Sequence, residues 1–265
     1  MKRRTVLLSI VFISLFLNSS SQISEKYTKL VWSDEFNGSG LPDSSKWNYE
    51  TGFVRNNEMQ YYTTSLENAN VEKGMLVIEA KKDTMIIGND KVKISSASLI
   101  TADKQDWTYG RIEVRAKIPV FLGSWPAIWM LGSNLHEVGW PACGEIDMME
   151  NVGFDPDTIH FNIHTKAYNH RKKTNKGQKF SVPSPQNEYH IYALEWHPEK
   201  LDFFFDGQKV FTFANEGTGN NTWPYDKPYY LILNLAIGGS WGGMKGVDLE
   251  ALPQQLLIDY VRVYQ

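Results

Sequence analysis

The chain has 265 residues, a formal net charge of −3 and one cysteine, Cys143. That near-neutral balance leaves no basic footprint for nucleic acid, and a lone cysteine rules out an internal disulfide, so a core must carry the stability. Past the first residues, no apolar stretch approaches the roughly 20 residues that a membrane helix needs.

In chain order, Lys2, Arg3 and Arg4 precede a short apolar run from Val6 to Leu17, and Asn18-Ser19-Ser20-Ser21 follows. A positive start, an apolar run too short to span and small residues read as a secretory signal over 1–21, cut after Ser21. The Arg3-Arg4 pair suits twin-arginine export, but the run fits the general route better, and no cysteine lies near enough for a lipid anchor. Residues 22–265 are expected to form one secreted domain.

The rest has the periodicity of strands. Leu76, Ile78 and Ala80 form an alternating series after Gly74, and Arg111 to Ile118 alternates polar and apolar until Pro119. His190, Tyr192, Leu194 and Trp196 share a face of another strand. Leu201 to Phe205 and Lys209 to Phe213 flank Asp206-Gly207 as a hairpin. Tyr229 to Ile237 is nearly all apolar, as in a central strand covered on both faces, and Leu256 to Tyr264 returns the chain to the sheet. The basic run Arg171 to Lys176 reads as a solvated loop, and Cys143 as a small buried residue. No amphipathic helix of ten residues, repeat or linker interrupts this pattern. The expected fold is all-β: a β-jelly-roll sandwich of two curved antiparallel sheets, one concave face forming a long cleft suited to polymers.

The richest segment is Glu145-Ile146-Asp147-Met148-Met149-Glu150. Glu145 and Asp147 share a face of a strand; Glu150 joins them only if one extra residue, a bulge at Met148-Met149, intervenes. Ile146 and one methionine would then face the core. Three like charges side by side destabilise a solvated strand, whereas crowding raises the pKa of at least one acid. A glycosidase needs that arrangement: one ionised carboxylate to attack the anomeric carbon and one protonated carboxyl for the leaving oxygen. Short spacing along one strand favours retention of configuration. A calcium loop is not indicated, since its Asp/Asn/Gly pattern is missing.

Glu145-Ile146-Asp147-Met148-Met149-Glu150 resembles the active-site pattern of glycoside hydrolase family 16, in the bulged form of laminarinase-like members. The similarity extends through Val31 to Phe36, Asn56 to Thr63, Tyr109 to Arg115, Trp125 to Met130, Leu233 to Gly239 and Asp259 to Tyr264. It implies a jelly roll with Glu145 as nucleophile, Glu150 as general acid/base and Asp147 as their partner. It also places Asn56, Asn234 and Trp241 at substrate-contacting positions, Trp241 in a flexible glycine-rich loop. Trp125 and Trp129, four apart, are expected to stack on sugar rings. Asn162 and His164 share a face on the strand after the acids. Glu113 and Arg115 would bind sugar hydroxyls if their polar face lines the cleft. No catalytic cofactor is implied. One structural calcium is, at Glu35, Gly74 and Asp259, mostly through backbone oxygens.

The expected activity is endo-hydrolysis of β-1,3 or mixed β-1,3/1,4 glucan by a monomer whose partner is the polysaccharide. Two alternatives stay open. One is a marine galactan as substrate, for which Arg171 to Lys176 would have to lie beside the cleft. The other is a non-catalytic carbohydrate-binding sandwich, which leaves the three acids unexplained.

Overall fold

The computed structural model describes residues 26–87 and 90–265. The expected signal over 1–21 lies outside them. Two large sheets face each other. One runs, strand by strand, Lys176–Ser181, Thr158–His164, Glu145–Glu150, Ser124–Gly132, Tyr229–Ile237, Ser98–Ile100 and Asn48–Glu50, all antiparallel. The other is built on Gln208–Ala214, Lys200–Phe205, His190–Trp196, Gly110–Lys117, Gln254–Tyr264 and Met75–Lys82, with shorter strands beyond. Among the described residues the only α-helix is the four-residue Leu135–Val138.

Period-two patterning fills the space between the sheets. Ile112, Val114, Leu256 and Ile258 from one sheet meet Ile128, Met130, Ile146, Leu231 and Leu233 from the other, all buried. Burying a side chain of this size contributes about 1.5–3 kcal/mol. Tyr229–Ile237 is buried at all nine positions, as a central strand should be. Its outer face is covered differently from its inner one, however: Tyr230 and Ile232 form a small second cluster with Ala127, Trp129, Leu131 and Cys143 under an open cleft.

The polar face of Gly110–Lys117 does not line that cleft. Ile112, Val114 and Ala116 take the core side, so Arg111, Glu113 and Arg115 face outward from the opposite sheet. Glu113 accepts from Arg111 at 3.0 Å and from the Tyr260 hydroxyl at 2.7 Å. Arg115 pairs with Asp259 at 2.5 Å and lies over the Tyr189 ring. The expectation that Glu113 and Arg115 bind sugar is therefore corrected: both are structural, and alternation alone did not say which sheet carried the cleft.

Strand register carries Glu35, Gly74 and Asp259 toward one flank of Gln254–Tyr264. Leu30–Asp34 pairs with the end of Gln254–Tyr264 and Met75–Lys82 with its beginning, leaving Asp259 in the gap that Glu35 and Gly74 approach. The side chains are already engaged, both Glu35 oxygens by Nε and Nη2 of Arg262 and Asp259 by Arg115. A cation there fits only through backbone oxygens.

Candidate active site

The six residues Glu145–Glu150 form one strand with the expected irregularity. Asp147 lies opposite Trp129 and Met149 opposite Ile128, so Met148 has no partner on Ser124–Gly132. On the other flank Asp147 faces Asn162 and Glu150 faces His160, with two residues between on one strand against one on the other. The bulge turns Glu150 onto the face of Glu145 and Asp147, and all three line the cleft. Both methionines, not one, are fully buried, because a bulge sends two successive side chains into the core. Gly144, just before the strand, has φ +82°, and a β-carbon there would meet the Tyr229 hydroxyl at 1.9 Å. Only glycine leaves room for that hydroxyl to donate to the Cys143 carbonyl. Cys143 itself is buried, its thiol pushed up to about 12 by burial, as befits a packing residue.

The cleft has a volume of about 1110 Å³. Trp140 donates its indole N–H to Glu145 Oε2 at 2.8 Å. Trp125 donates to Glu150 Oε1 at 3.0 Å, and Asn162 to Glu150 Oε2 at 3.1 Å. His164 Nε2 stands 3.5 Å from Glu145 Oε1 and from Asp147 Oδ2. The Tyr225 hydroxyl reaches the carbonyls of Glu145 and His164, tying the two strands beneath the acids. Among the described residues no Lys or Arg forms an ion pair with these three acids.

Burial sets the protonation, and Arg55 across the cleft opposes it only in part at Glu145. Burial and the Glu150 charge push Glu145 up, and burial pushes Glu150 up, so the pair holds protons into the neutral range. Asp147 is held well above the carboxylate range by burial and by both glutamates. Asp147 holds its proton, and that carboxyl beside Glu145 favours the ionised form of Glu145. The set shares protons and titrates as a unit. His164 and His160 are pulled down to about 3 and about 4, mainly by burial, so both are neutral.

Most expected cleft residues are gathered here: Asn56, Trp125, Trp129, Asn162, His164, Asn234 and Trp241. Trp125 and Trp241 meet edge to face and form an aromatic wall. Trp129 is less available. Its N–H goes to Asn234 Oδ1 at 2.7 Å, and the Arg55 guanidinium lies 4.9 Å from its ring centre. The glycine-rich turn holding Trp241 is pinned rather than free: Gly238 donates to Gly123, Ser240 to the Asn56 carbonyl, and Met59 to Ile237.

Sequence reasoning passed over Arg55, Glu58, Trp140 and His170. Arg55 pairs with Glu50 beside the cleft floor. Glu58 is buried and fixed by Asn56, Gln60 and Tyr62. Trp140 lies against His170 and Arg171 on the cleft wall. A tryptophan five residues before Glu145 was the available signal. The basic run is exposed as expected, yet Arg171 and Asn175 line the cleft.

A three-carboxylate floor on a bulged strand, with indole donors and an open groove, is the arrangement of a polysaccharide hydrolase. Comparison with known proteins agrees. The family model "Glycosyl hydrolases family 16" matches residues 56–262. A beta-glucanase of Rhodothermus marinus is 45% identical over 275 residues, covering 100% of this chain and 95% of its own. The laminarinase structure from Rhodothermus marinus superposes with a TM-score of 0.85 at 46% identity, covering 89% of this chain and 97% of that one. A mutant of SCLam, described as a non-specific endo-β-1,3(4)-glucanase, superposes at 0.87 with 47% identity, covering 92% and 96%. The chain belongs to glycoside hydrolase family 16.

Proposed function

We propose that the protein is a secreted, monomeric endo-β-1,3(4)-glucanase that cleaves with retention of configuration. One observation carries the reading: Glu145, Asp147 and Glu150 share the floor of an open cleft, with no Lys or Arg ion-paired to them among the described residues. Glu145 attacks the anomeric carbon while Glu150 passes its proton to the departing glycosidic oxygen. Glu150, now a base, takes a proton from water, and that water displaces the sugar from Glu145. Asp147 holds its proton against Glu145 and limits the negative charge on the floor. The Trp125–Trp241 wall offers a face for a sugar ring, and Asn162 and Trp125 hold the Glu150 carboxyl in line.

The decisive measurement is reducing-sugar release and product sizing on laminarin and lichenan, followed by NMR of the first anomer formed. The β-anomer from either substrate supports the reading; the α-anomer overturns retention, and no release from either overturns the glucanase assignment. Arg171 and Lys179 on the cleft wall favour a second reading, a sulfated galactan, which carrageenan and porphyran in the same panel would reveal. Secretion rests on the basic start and short apolar run, and N-terminal sequencing of exported protein should begin at Gln22. A structural calcium rests on the gap between Glu35, Gly74 and Asp259. Chelation should then lower the melting temperature, with recovery on adding calcium but not magnesium.

A further inference from the structure

His164 completes a triangle of donor atoms with Glu145 and Asp147 at the cleft floor, and the hydrolytic reading gives that imidazole no role. His164 Nε2 lies 3.5 Å from Glu145 Oε1 and 3.5 Å from Asp147 Oδ2, and the three groups offer ligand atoms within 4.8 Å of one another. Zinc bonds to imidazole nitrogen at about 2.0–2.1 Å and to carboxylate oxygen at about 2.0–2.2 Å, so tetrahedral ligand atoms sit roughly 3.3–3.5 Å apart. Two edges of the triangle already match.

A second observation points the same way. Asp147 is 2% exposed and its Oδ2 has no hydrogen-bond partner. That orphaned atom is the one aimed at His164. Trp140 occupies Glu145 Oε2 and leaves Oε1 to the triangle. The Tyr225 hydroxyl fixes the carbonyls of both Glu145 and His164, so two of the donors ride on tied strands. The open cleft supplies a fourth position for water, the pattern of a three-ligand zinc site.

We propose that Glu145, Asp147 and His164 bind one divalent cation of the zinc class, and that this ion blocks hydrolysis reversibly. The imidazole nitrogen selects zinc or copper over calcium and magnesium, which prefer all-oxygen shells. On binding, three metal–ligand bonds replace zinc–water bonds, and the displaced waters leave to solvent with the proton shared by Glu145 and Asp147. Nothing is oxidised or reduced. The Glu145 lone pair that would attack the sugar is held by the ion.

One other such cluster exists among the described residues, Glu195, His197 and Asp202. Its donors are spent: Arg111 takes Glu195, while Lys200, Lys209 and Thr212 take Asp202. It serves as the internal control.

Calorimetric titration of the purified protein with zinc chloride, in chelator-free buffer, tests the proposal apart from the glucanase reading. The expected result is one zinc per chain, with magnesium silent. His164→Ala should weaken binding by about 100-fold, and His197→Ala should leave it unchanged. Asp147→Asn is the second variant should His164→Ala not fold, as judged by its melting curve. Zinc should also stop release of sugar from laminarin, with recovery on adding EDTA. No binding, binding that survives loss of His164 or Asp147, or binding lost with His197 would overturn the proposal. If zinc binds as expected but no polysaccharide is cut, the metal site stands and the glucanase reading falls.

Discussion

The Glu145–Glu150 and Gly110–Lys117 strands lie in opposite sheets, and both bury acids. In the cleft, Glu145, Asp147 and Glu150 have indole, amide and imidazole neighbours but, among the described residues, no ion-paired Lys or Arg. Across the core, Arg111 is wholly buried and binds both Glu113 and Glu195 at 3.0 Å, with Tyr260 completing Glu113. Burial is similar in the two places; compensation is not. A buried acid beside a guanidinium keeps its charge and holds strands together. A buried acid without one gains a proton, and a proton held near neutral pH is what acid catalysis uses.

Breaking each cluster should give opposite symptoms. Glu145→Gln and Glu150→Gln should each lower kcat on laminarin by about 10⁴-fold, with folding intact by circular dichroism. A loss below about tenfold in both would end the comparison. Arg111→Met should leave Glu113 and Glu195 buried and unpaired, costing about 3–5 kcal/mol in denaturant unfolding. At temperatures where that variant stays folded, its kcat should be close to the native value, since none of the three residues touches the cleft.

Much of this contrast was legible in the sequence, and the missing part has a physical cause. The bulge followed from three acids needing one face, and burial of Ile146 fitted it. Strand alternation placed Glu113 and Arg115 together correctly but not on the right side of the molecule. Alternation gives the two faces of a strand; which face meets the substrate depends on pairing across distant residues, here Arg111 with Glu195 and Arg115 with Asp259. Arg55 and Trp140 were missed for the same reason. Each works by lying against a residue from another strand or loop, Trp129 or His170, and spacing along the chain does not show that.

Amide substitutions sharpen the comparison through stability. The Glu150 carboxyl rises from about 4.5 unfolded to about 7 folded. The folded state therefore binds the extra proton, a contribution present below about pH 4.5 and lost as pH rises through about 7. Above that window Glu150 is a buried charge that strains the fold. Glu150→Gln should then stabilise the protein at pH 8 by on the order of 2 kcal/mol and flatten the decline in melting temperature between pH 4.5 and 7. Glu113→Gln should act the other way and destabilise at pH 8, because Arg111 loses a charged partner. Equal signs for the two variants would show that both clusters are structural.

The smallest expected effect assigns the roles. Each indole N–H favours the ionised form of the carboxylate it touches, worth about 1.5–3 kcal/mol for a charged acceptor. Removing the donor therefore raises that group's pKa. Trp140→Phe deprives Glu145, the nucleophile that must be ionised, so the acid limb of kcat/KM against pH should move upward. Trp125→Phe deprives Glu150, the acid that must be protonated, so the alkaline limb should move upward and the optimum broaden. The two changes keep the rings in the cleft wall and alter one hydrogen bond each. If the limbs respond in the reverse order, Glu150 attacks and Glu145 gives the proton, and the contrast with the Arg111 cluster would survive with its two actors exchanged.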